Sequence, residues 1–179
     1  MNLIGKKLIL RELKESDMKL LNDMINDSNI ENNIVGWSKP VTMAEQISWY
    51  QNLKNDLNIR YIISDIDNTE SAFGTGIISK IDNKNRSCSI DIKIAKEYQG
   101  KGYGKETIAI LCDYIFNELN LNRIYVNILE YNKGSQKIFE SNGFKKEGEQ
   151  RQAIYKNGKY NDLFIYGLIK EDYLSDRNR

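Results

Sequence analysis

The residues most able to do chemistry lie in a six-residue segment, 99–104, where three glycines stand at alternate positions. The segment reads Gln99-Gly100-Lys101-Gly102-Tyr103-Gly104. Glycine permits backbone conformations that a Cβ forbids and lets a ligand approach the main chain. Where such a segment opens a helix, the first N–H groups of that helix lack internal partners and lie at the positive end of the helix dipole. We therefore predict that the segment binds an anion such as a phosphate or pyrophosphate.

The flanking sequence places this segment where a strand turns into a helix. Residues 87–94 alternate between apolar and polar side chains up to Ile94, which predicts a strand with one buried face. Residues 108–119 carry apolar side chains at helical spacing. A tight turn without a ligand is the alternative interpretation. The sequence lacks the Gly-Lys-Ser/Thr of a P-loop and the acidic residue of a dinucleotide-binding fold, which favours a pyrophosphate on some other carrier.

Two blocks of the sequence resemble the GNAT superfamily of acyl-CoA-dependent N-acetyltransferases. Residues 99–104 match in full the family signature Gln/Arg-x-x-Gly-x-Gly/Ala, and residues 132–144 resemble the family's Asn-x-x-Ala/Ser helix that ends in Gly-Phe. Segments 147–148 and 157–162 resemble the branch that includes ribosomal-protein N-terminal and spermidine N-acetyltransferases. The resemblance is strong from about residue 87 to residue 173, and before that it rests on the order of the elements.

The resemblance implies one mixed α/β (α+β) domain over residues 1–174, followed by a flexible tail at 175–179. The expected architecture is a single GNAT-like domain, with a twisted, largely antiparallel sheet of about seven strands flanked by about four helices. The sequence patterns give the same order of elements, including strands at 123–129 and 159–169. Ser16 and Thr42 are predicted to cap the first two helices. Residues 26–40 are expected to form an asparagine-rich connection.

The resemblance also implies acetyl-CoA as cosubstrate and assigns residues to it. The strand ending at Ile94 is expected to part from the strand beginning near Arg123, so that the pantetheine arm lies in the gap and a backbone N–H of residues 92–94 polarises the thioester. For Asn132 and Ser135, the alternative role is helix capping. For Phe139, the alternative role is packing in the protein core. The predicted cofactor-binding residues are Ile92, Ile94, Gln99, Gly100, Lys101, Gly102, Tyr103, Gly104, Asn132, Ser135 and Phe139.

The predicted reaction is direct attack by a primary amine in a ternary complex, with Asp91, Ile94 and Ser135 as catalytic residues. No activated serine or cysteine suggests a covalent intermediate. Many members of the family carry a proton-donating tyrosine where this chain has Phe139, and often a glutamate where it has Ser89. Asp91 is a candidate base or substrate anchor, with a solvated strand residue as the alternative. Candidate donors of a proton to the departing thiolate are Tyr131, Ser135 and Ser141.

The acceptor stays open among a nucleotide-linked amino sugar, a polyamine and a protein N-terminus. The predicted substrate-binding residues are Trp37, Asp91 and Tyr166. A polyamine requires several carboxylates, which the sequence offers at Asp23, Asp27, Glu31 and Glu45. Two functions of other classes compete with catalysis: a non-catalytic acyl-CoA-binding sensor or scaffold, and a structural subunit that does not use the cofactor.

Composition narrows these alternatives. The chain has 179 residues, of which 40% are hydrophobic, and a well-mixed net charge of +1, so we expect neither a nucleic-acid nor a membrane partner. It contains no histidine, which excludes a Ser-His-Asp triad and histidine-ligated metals, and we expect no metal. Cys88 and Cys112 lie far apart, as expected of reduced thiols in a cytoplasmic protein. The family resemblance is compatible with a homodimer or larger homo-oligomer.

Overall fold

Eight strands form one sheet in the computed structural model, which describes residues 1–36, 39–53 and 58–177. The strands are β1 Leu3–Ile4, β2 Leu8–Arg11, β3 Ile59–Asp65, β4 Ala72–Asp82, β5 Ser87–Ile94, β6 Arg123–Leu129, β7 Lys145–Lys156 and β8 Lys159–Ile169. Their order across the sheet is β1-β2-β3-β4-β5-β6-β8-β7. Every neighbouring pair is antiparallel except β5 and β6, which are parallel. The predicted largely antiparallel sheet is confirmed, with the short β1 added at one edge.

The described residues form six α-helices, compared with about four predicted. They are α1 Met18–Ile25, α2 Ser28–Asn33, α3 Met43–Gln51, α4 Tyr103–Asp113, α5 Lys133–Glu140 and α6 Lys170–Arg177. A π-helical turn, Tyr114–Glu118, continues α4. The helix α2 lies inside the segment predicted as a connection, where the Asp27 side chain caps it by accepting from the Asn29 N–H at 2.7 Å. The helix α6 extends to Arg177, and the flexibility predicted for residues 175–179 stays a prediction.

Local capping explains where several elements begin. Thr42 and Glu45 form the predicted capping box, in which the Glu45 N–H donates to the Thr42 hydroxyl at 3.2 Å and the Thr42 N–H donates to the Glu45 carboxylate at 2.7 Å. The predicted Ser16 cap is wrong. The chain instead enters α1 through a short 3-10 turn, in which the Asp17 carboxylate accepts from the Lys14 N–H at 2.8 Å.

The main core lies between the sheet and α4. Buried side chains of the central strands, such as Ile78 and Ile90, belong to one cluster with Ile108 and Leu111 of α4. A Cβ built on Gly76 would lie 3.3 Å from Leu111 Cδ1, so α4 comes close to the sheet at that point. The helices α1 and α3 pack on each other and, as shown below, cover part of the opposite face.

A buried ion pair fixes the start of α1 to the sheet. The Arg11 guanidinium on β2 donates two hydrogen bonds to the Asp17 carboxylate at 2.7 and 2.8 Å, and the two residues are 3% and 4% exposed. Hydrogen bonding to Asp17 raises the pKa of Arg11. Arg11 also donates to the Thr69 carbonyl at 2.9 Å. Because each charge depends on the other for compensation, this pair determines where α1 leaves the sheet.

We expect Asp17→Ala to lower the free energy of unfolding by about 3–5 kcal/mol, because it leaves the buried Arg11 charge uncompensated. Urea denaturation measures the change. The control is Asp23→Ala, which removes an exposed pair with Lys19 at 2.8 Å on the same helix and should cost no more than about 0.5 kcal/mol. Equal losses in the two variants would contradict the structural role of Arg11 and Asp17.

Candidate active site

The sheet opens between its two parallel strands. The ladder between β5 and β6 joins residues 87–89 to residues 123–125 and ends there. Beyond this point β5 stays paired with β4 as far as Ile94, and β6 stays paired with β8 as far as Leu129. Within these described strands, the side of β5 that faces β6 therefore has no strand partner over residues 90–94. The resulting V-shaped gap exposes peptide groups that an extended, amide-containing ligand can pair with.

The glycine-rich segment lies at the open end of this gap. Gly100 and Gly102 have φ values of +75° and +89°, a region that favours glycine, and Gly102 is the N-cap of α4. A Cβ built on either residue meets no described atom within 4 Å, so the space beside them is open. The first hydrogen bond within the helix runs from the Glu106 N–H to the Gly102 carbonyl at 3.1 Å. The N–H groups of residues 103–105 thus have no acceptor within α4.

Gly104 has a different role, which sequence reasoning missed. A Cβ built there would lie 3.3 Å from Ile138 Cδ1, 3.5 Å from Ile94 Cδ1 and 3.7 Å from Ile92 Cδ1. The absence of a side chain lets α4 approach β5 and α5 at the same point. This close approach brings three elements of the candidate site together.

Aromatic side chains pack against one another next to the glycine-rich segment. The ring of Phe73 stacks on that of Tyr98 at 4.5 Å, and it also contacts the Tyr103 ring at 4.6 Å. The Gln99 amide donates to the Ile94 carbonyl at 2.8 Å, which ties the segment to the end of β5. The Lys101 ammonium lies 5.3 Å from the Tyr98 ring centroid. The side chains of Gln99 and Tyr103 therefore stabilise the segment itself, and their contact with a cofactor stays a prediction.

The helix α2 crosses to the start of α5 on the other side of the gap. Asn132 caps α5 by accepting from the Ser135 N–H at 3.0 Å, and its amide donates to the Asn33 carbonyl at 2.9 Å. The Tyr131 hydroxyl donates to the Asn32 carbonyl at 2.6 Å. The capping interpretation of Asn132 is confirmed, and its contact with a cofactor stays a prediction.

An ion pair joins α2 to the hairpin formed by β7 and β8. The buried Lys156 ammonium lies 2.7 Å from the Glu31 carboxylate. The hairpin turn at Asn157 and Gly158 has φ values of +54° and +77°, as the Asn-Gly sequence predicts. The C-terminal half of α2, residues 31–33, is thus tied to both α5 and the hairpin and forms a wall beside the gap.

Two predicted site residues lie in the interior. Phe139 is buried and packs edge-to-face on Phe144 at 5.0 Å, which confirms its alternative as a core residue. Tyr166 is only 2% exposed, and its hydroxyl donates to the Glu140 carboxylate at 2.9 Å. Burial raises the pKa of Tyr166 to about 12. The Tyr166 ring is thus enclosed and its hydroxyl is engaged by Glu140, and its contact with an acceptor stays a prediction. Trp37 lies outside the described residues.

The candidate proton donors differ in how they are held. The Tyr131 hydroxyl is engaged by α2, and the Ser141 hydroxyl donates to the Ile138 carbonyl at 2.9 Å. Within the described part of the chain, Ser135 is the one of the three whose hydroxyl makes no hydrogen bond. Ser135 also lies in the first turn of α5, where the helix dipole favours negative charge.

A cavity of about 310 Å³ lies on the face of the sheet opposite α4, and we call it the α1–α3 cavity. Its wall includes Leu21 and Met24 of α1, Trp49 of α3, and Arg60, Ile77 and Lys93 of three neighbouring strands. Because successive strand residues point to opposite faces and Ile92 and Ile94 face α4, Asp91 and Lys93 point to the cavity side. The parted strand β5 therefore has the glycine-rich segment on one side and this cavity on the other.

The two charged residues of β5 influence each other. Asp91 is open to solvent but has protein close around it, and this desolvation raises the pKa of its carboxyl, against the attraction of Lys93 and Lys80. Desolvation lowers the pKa of the half-buried Lys93, against the attraction of Asp91. A carboxylate with a raised pKa beside an open gap is suited to accept a proton.

The parted strands, the glycine-rich helix start and the cavity behind them define an acetyltransferase fold. The acetyltransferase (GNAT) domain matches residues 7–145, and the chain belongs to the GNAT family of N-acetyltransferases. None of the helices within the described ranges combines the length and apolar character needed to cross a bilayer.

Known acetyltransferases are similar to this chain, over 57% of it in one case and over nearly its whole length in two others. The spermidine N(1)-acetyltransferase of Vibrio cholerae is 25% identical over 174 residues, which is 96% of this chain and 98% of the relative. A putative ribosomal N-acetyltransferase of Bacillus subtilis is 36% identical over 104 residues, 57% of each chain. The crystal structure of the Vibrio cholerae spermidine N-acetyltransferase in complex with CoA and spermine matches with a TM-score of 0.85 and 26% identity, covering 94% of this chain and 98% of that one.

We predict that Asp91→Asn increases stability at neutral pH relative to the wild type. Folding raises the pKa of Asp91 above its ordinary value of 3.8, so the wild type loses stability as the pH rises from about 4 through the raised value. The asparagine variant lacks this loss, and its advantage should disappear in acid. Urea denaturation across pH measures the difference.

Asp82→Asn is the control of opposite sign. Hydrogen bonds from Asn85 lower the pKa of Asp82, so its carboxylate contributes stability above the ordinary value of 3.8 and loses it as the pH falls. That variant should be less stable than the wild type at neutral pH. If both variants respond to pH with the same sign, the desolvation of Asp91 is contradicted.

Proposed function

We propose that this protein transfers an acetyl group from acetyl-CoA to a small-molecule primary amine. The observation that carries the proposal is the coincidence of the gap between β5 and β6 with the glycine-rich start of α4 at its open end. The similar Vibrio cholerae spermidine N-acetyltransferase, crystallised with CoA and spermine, supports both the donor and the class of acceptor.

The donor fits the gap through complementary chemistry. The pantetheine arm contains amide groups, and the peptide groups of residues 90–94 on the open side of β5 offer the partners that a neighbouring strand offers elsewhere. The N–H groups of residues 103–105 and the positive end of α4 suit the pyrophosphate. Gly100 and Gly102 keep the approach to these groups open. Direct contacts of the predicted cofactor residues with acetyl-CoA are part of the proposal.

The proposed chemistry begins with a neutral amine. An alkylammonium is mostly protonated at neutral pH, so a proton must be removed first, and Asp91 on the cavity side of β5 is the candidate acceptor of that proton. The amine nitrogen then attacks the thioester carbonyl. An N–H of residues 92–94 stabilises the oxyanion, which is worth about 3–4 kcal/mol of the barrier.

Collapse of the tetrahedral intermediate breaks the C–S bond, the attacking nitrogen gives up its surplus proton, and CoA leaves as the thiolate, which takes up a proton to become the thiol. The leaving thiol has a pKa near 8.5 by analogy with cysteine, so the thiolate can depart without a tyrosine acid. Ser135 at the start of α5 is the proposed donor when one is used. Burial raises the pKa of Cys88 to about 12, which argues against a covalent acyl-cysteine route through that residue.

We expect Gly102→Ala to weaken acetyl-CoA binding at least tenfold, about 1.4 kcal/mol. A Cβ at φ +89° costs about 1–2 kcal/mol and displaces the N–H groups of the helix start. Isothermal titration calorimetry with acetyl-CoA measures the affinity, and free-thiol release with a panel of amines measures the transfer.

Gly158→Ala is the matched control for this test. Gly158 has φ +77°, lies in the hairpin turn and, like Gly102, has no described atom within 4 Å of a built Cβ. It therefore introduces similar strain away from the segment and should leave acetyl-CoA affinity unchanged. Unchanged affinity in Gly102→Ala would remove the segment from cofactor binding. Acetyl-CoA binding without thiol release from any amine would instead support an acyl-CoA sensor.

A further inference from the structure

We infer that the acetyl acceptor is an amine that also carries an anionic group, rather than a polyamine, and that Lys93 recognises this group from the wall of the α1–α3 cavity. The inference rests on the proposed function and names its acceptor class. It departs from the substrate named for the similar spermidine N-acetyltransferases, because the described side chains around the cavity include two cations.

The carboxylates that the sequence offers for a polyamine are already engaged elsewhere. Asp23 pairs with Lys19 at 2.8 Å on the surface of α1. Asp27 caps α2. Glu31 pairs with the buried Lys156 at 2.7 Å, where it holds the wall of the site. Diverting Asp27 or Glu31 to a ligand would break a contact that holds α2, whereas the exposed pair of Asp23 contributes little to the structure.

Glu45 is the one carboxylate among the described residues that line the α1–α3 cavity. It serves the capping box of α3, where the Thr42 N–H and hydroxyl both donate to it at 2.7 Å. These hydrogen bonds lower the pKa of Glu45. The Glu45 carboxylate therefore stays ionised, and its hydrogen bonds hold it at the start of α3.

Among the described residues that line the cavity, the other charged side chains are the cationic Lys93 and Arg60. Lys93 projects into it from β5. The Arg60 guanidinium on β3 also lines the wall, 5.8 Å from the centroid of the Trp49 ring. A polyamine entering this space would place several ammonium groups against cationic side chains, whereas a carboxylate or phosphate would be attracted to them.

The spacing of charges along β5 fits a molecule with two opposite charges. Asp91 and Lys93 leave the same face of the strand two residues apart, a separation of about 7 Å. An amine held at Asp91, near the gap, leaves its anionic group at Lys93. Partial burial lowers the pKa of Lys93. A bound anion opposes this shift, because it favours the charged ammonium. A polyamine can pair with Asp91 but offers no negative charge to Lys93.

The rest of the cavity suits an apolar body of modest size. Leu21, Met24 and Ile77 contribute apolar surface, and Trp49 contributes an aromatic ring. A volume of about 310 Å³ lies at the small end of ligand sites, which run from about 300 to 1,000 Å³. The acceptor is thus a small amine with an apolar skeleton and one carboxylate or phosphate.

Matched pairs of acceptors test this inference with acetyl-CoA and the full chain. Phenylalanine is compared with phenethylamine, phosphoethanolamine with ethanolamine, and spermidine is run beside them, with kcat/KM taken from free-thiol release. We expect the anionic member of at least one pair to exceed both its neutral partner and spermidine at least tenfold. The first pair reports a carboxylate, and the second reports a phosphate.

Substitutions at Lys93 test its role as a specificity residue. Lys93→Gln should lower the ratio of kcat/KM for the anionic over the neutral acceptor at least tenfold, mainly through KM, and Lys93→Arg should restore most of it. The control is Lys96→Gln, because Lys96 is exposed, lies just after β5 and is outside the cavity wall. That control should leave the ratio unchanged.

Two outcomes overturn the inference in distinguishable ways. If spermidine exceeds every anionic acceptor tenfold, or if Lys93→Gln leaves the ratio unchanged, the acceptor class is wrong while acetyl transfer stands. If no acceptor releases thiol although acetyl-CoA binds in a Gly102-dependent manner, the proposed transfer itself fails, and the inference fails with it.

Discussion

The structure depends on one constraint, the parting of two parallel strands in the middle of an otherwise continuous sheet. β5 and β6 pair over three residues and then separate, while each keeps its outer neighbour. The backbone N–H and C=O groups of a sheet are normally paired between neighbouring strands. Where flanking strands hold a gap open, these groups stay unpaired along its edges and point in a fixed direction. The glycine-rich helix start, the α2 wall and the α1–α3 cavity are all arranged around this gap.

Elements with strong local periodicity were predicted from the sequence. Elements that are stabilised by partners distant in the sequence were not. The bounds of β5, β6 and β8 agree with the predicted ranges, because alternation and turn residues define them locally. The short helix α2 was missed, since its asparagine-rich sequence has little helical preference and its carbonyls find partners in Tyr131 and Asn132.

The candidate site divides in the same way. Its glycine-rich segment was predictable, because positive φ angles and an open helix start follow from the residue types themselves. The close approach at Gly104 was not, since it depends on Ile138 from another element. The hydrogen bond from the Tyr166 hydroxyl to Glu140 was not predictable either, because alternation gives the face of a strand residue but not its partner.

The ion pair between Lys156 and Glu31 has a consequence for the order of folding. It joins residues that are 125 positions apart, and contacts of such sequence separation form late because a long loop must close first. The parted strands and the helix α4 precede the hairpin in the chain, but β6 gains its outer neighbour only when β8 pairs with it. The wall that α2 forms is completed only when the last hairpin docks, which makes the final segment of the chain the step that encloses the site.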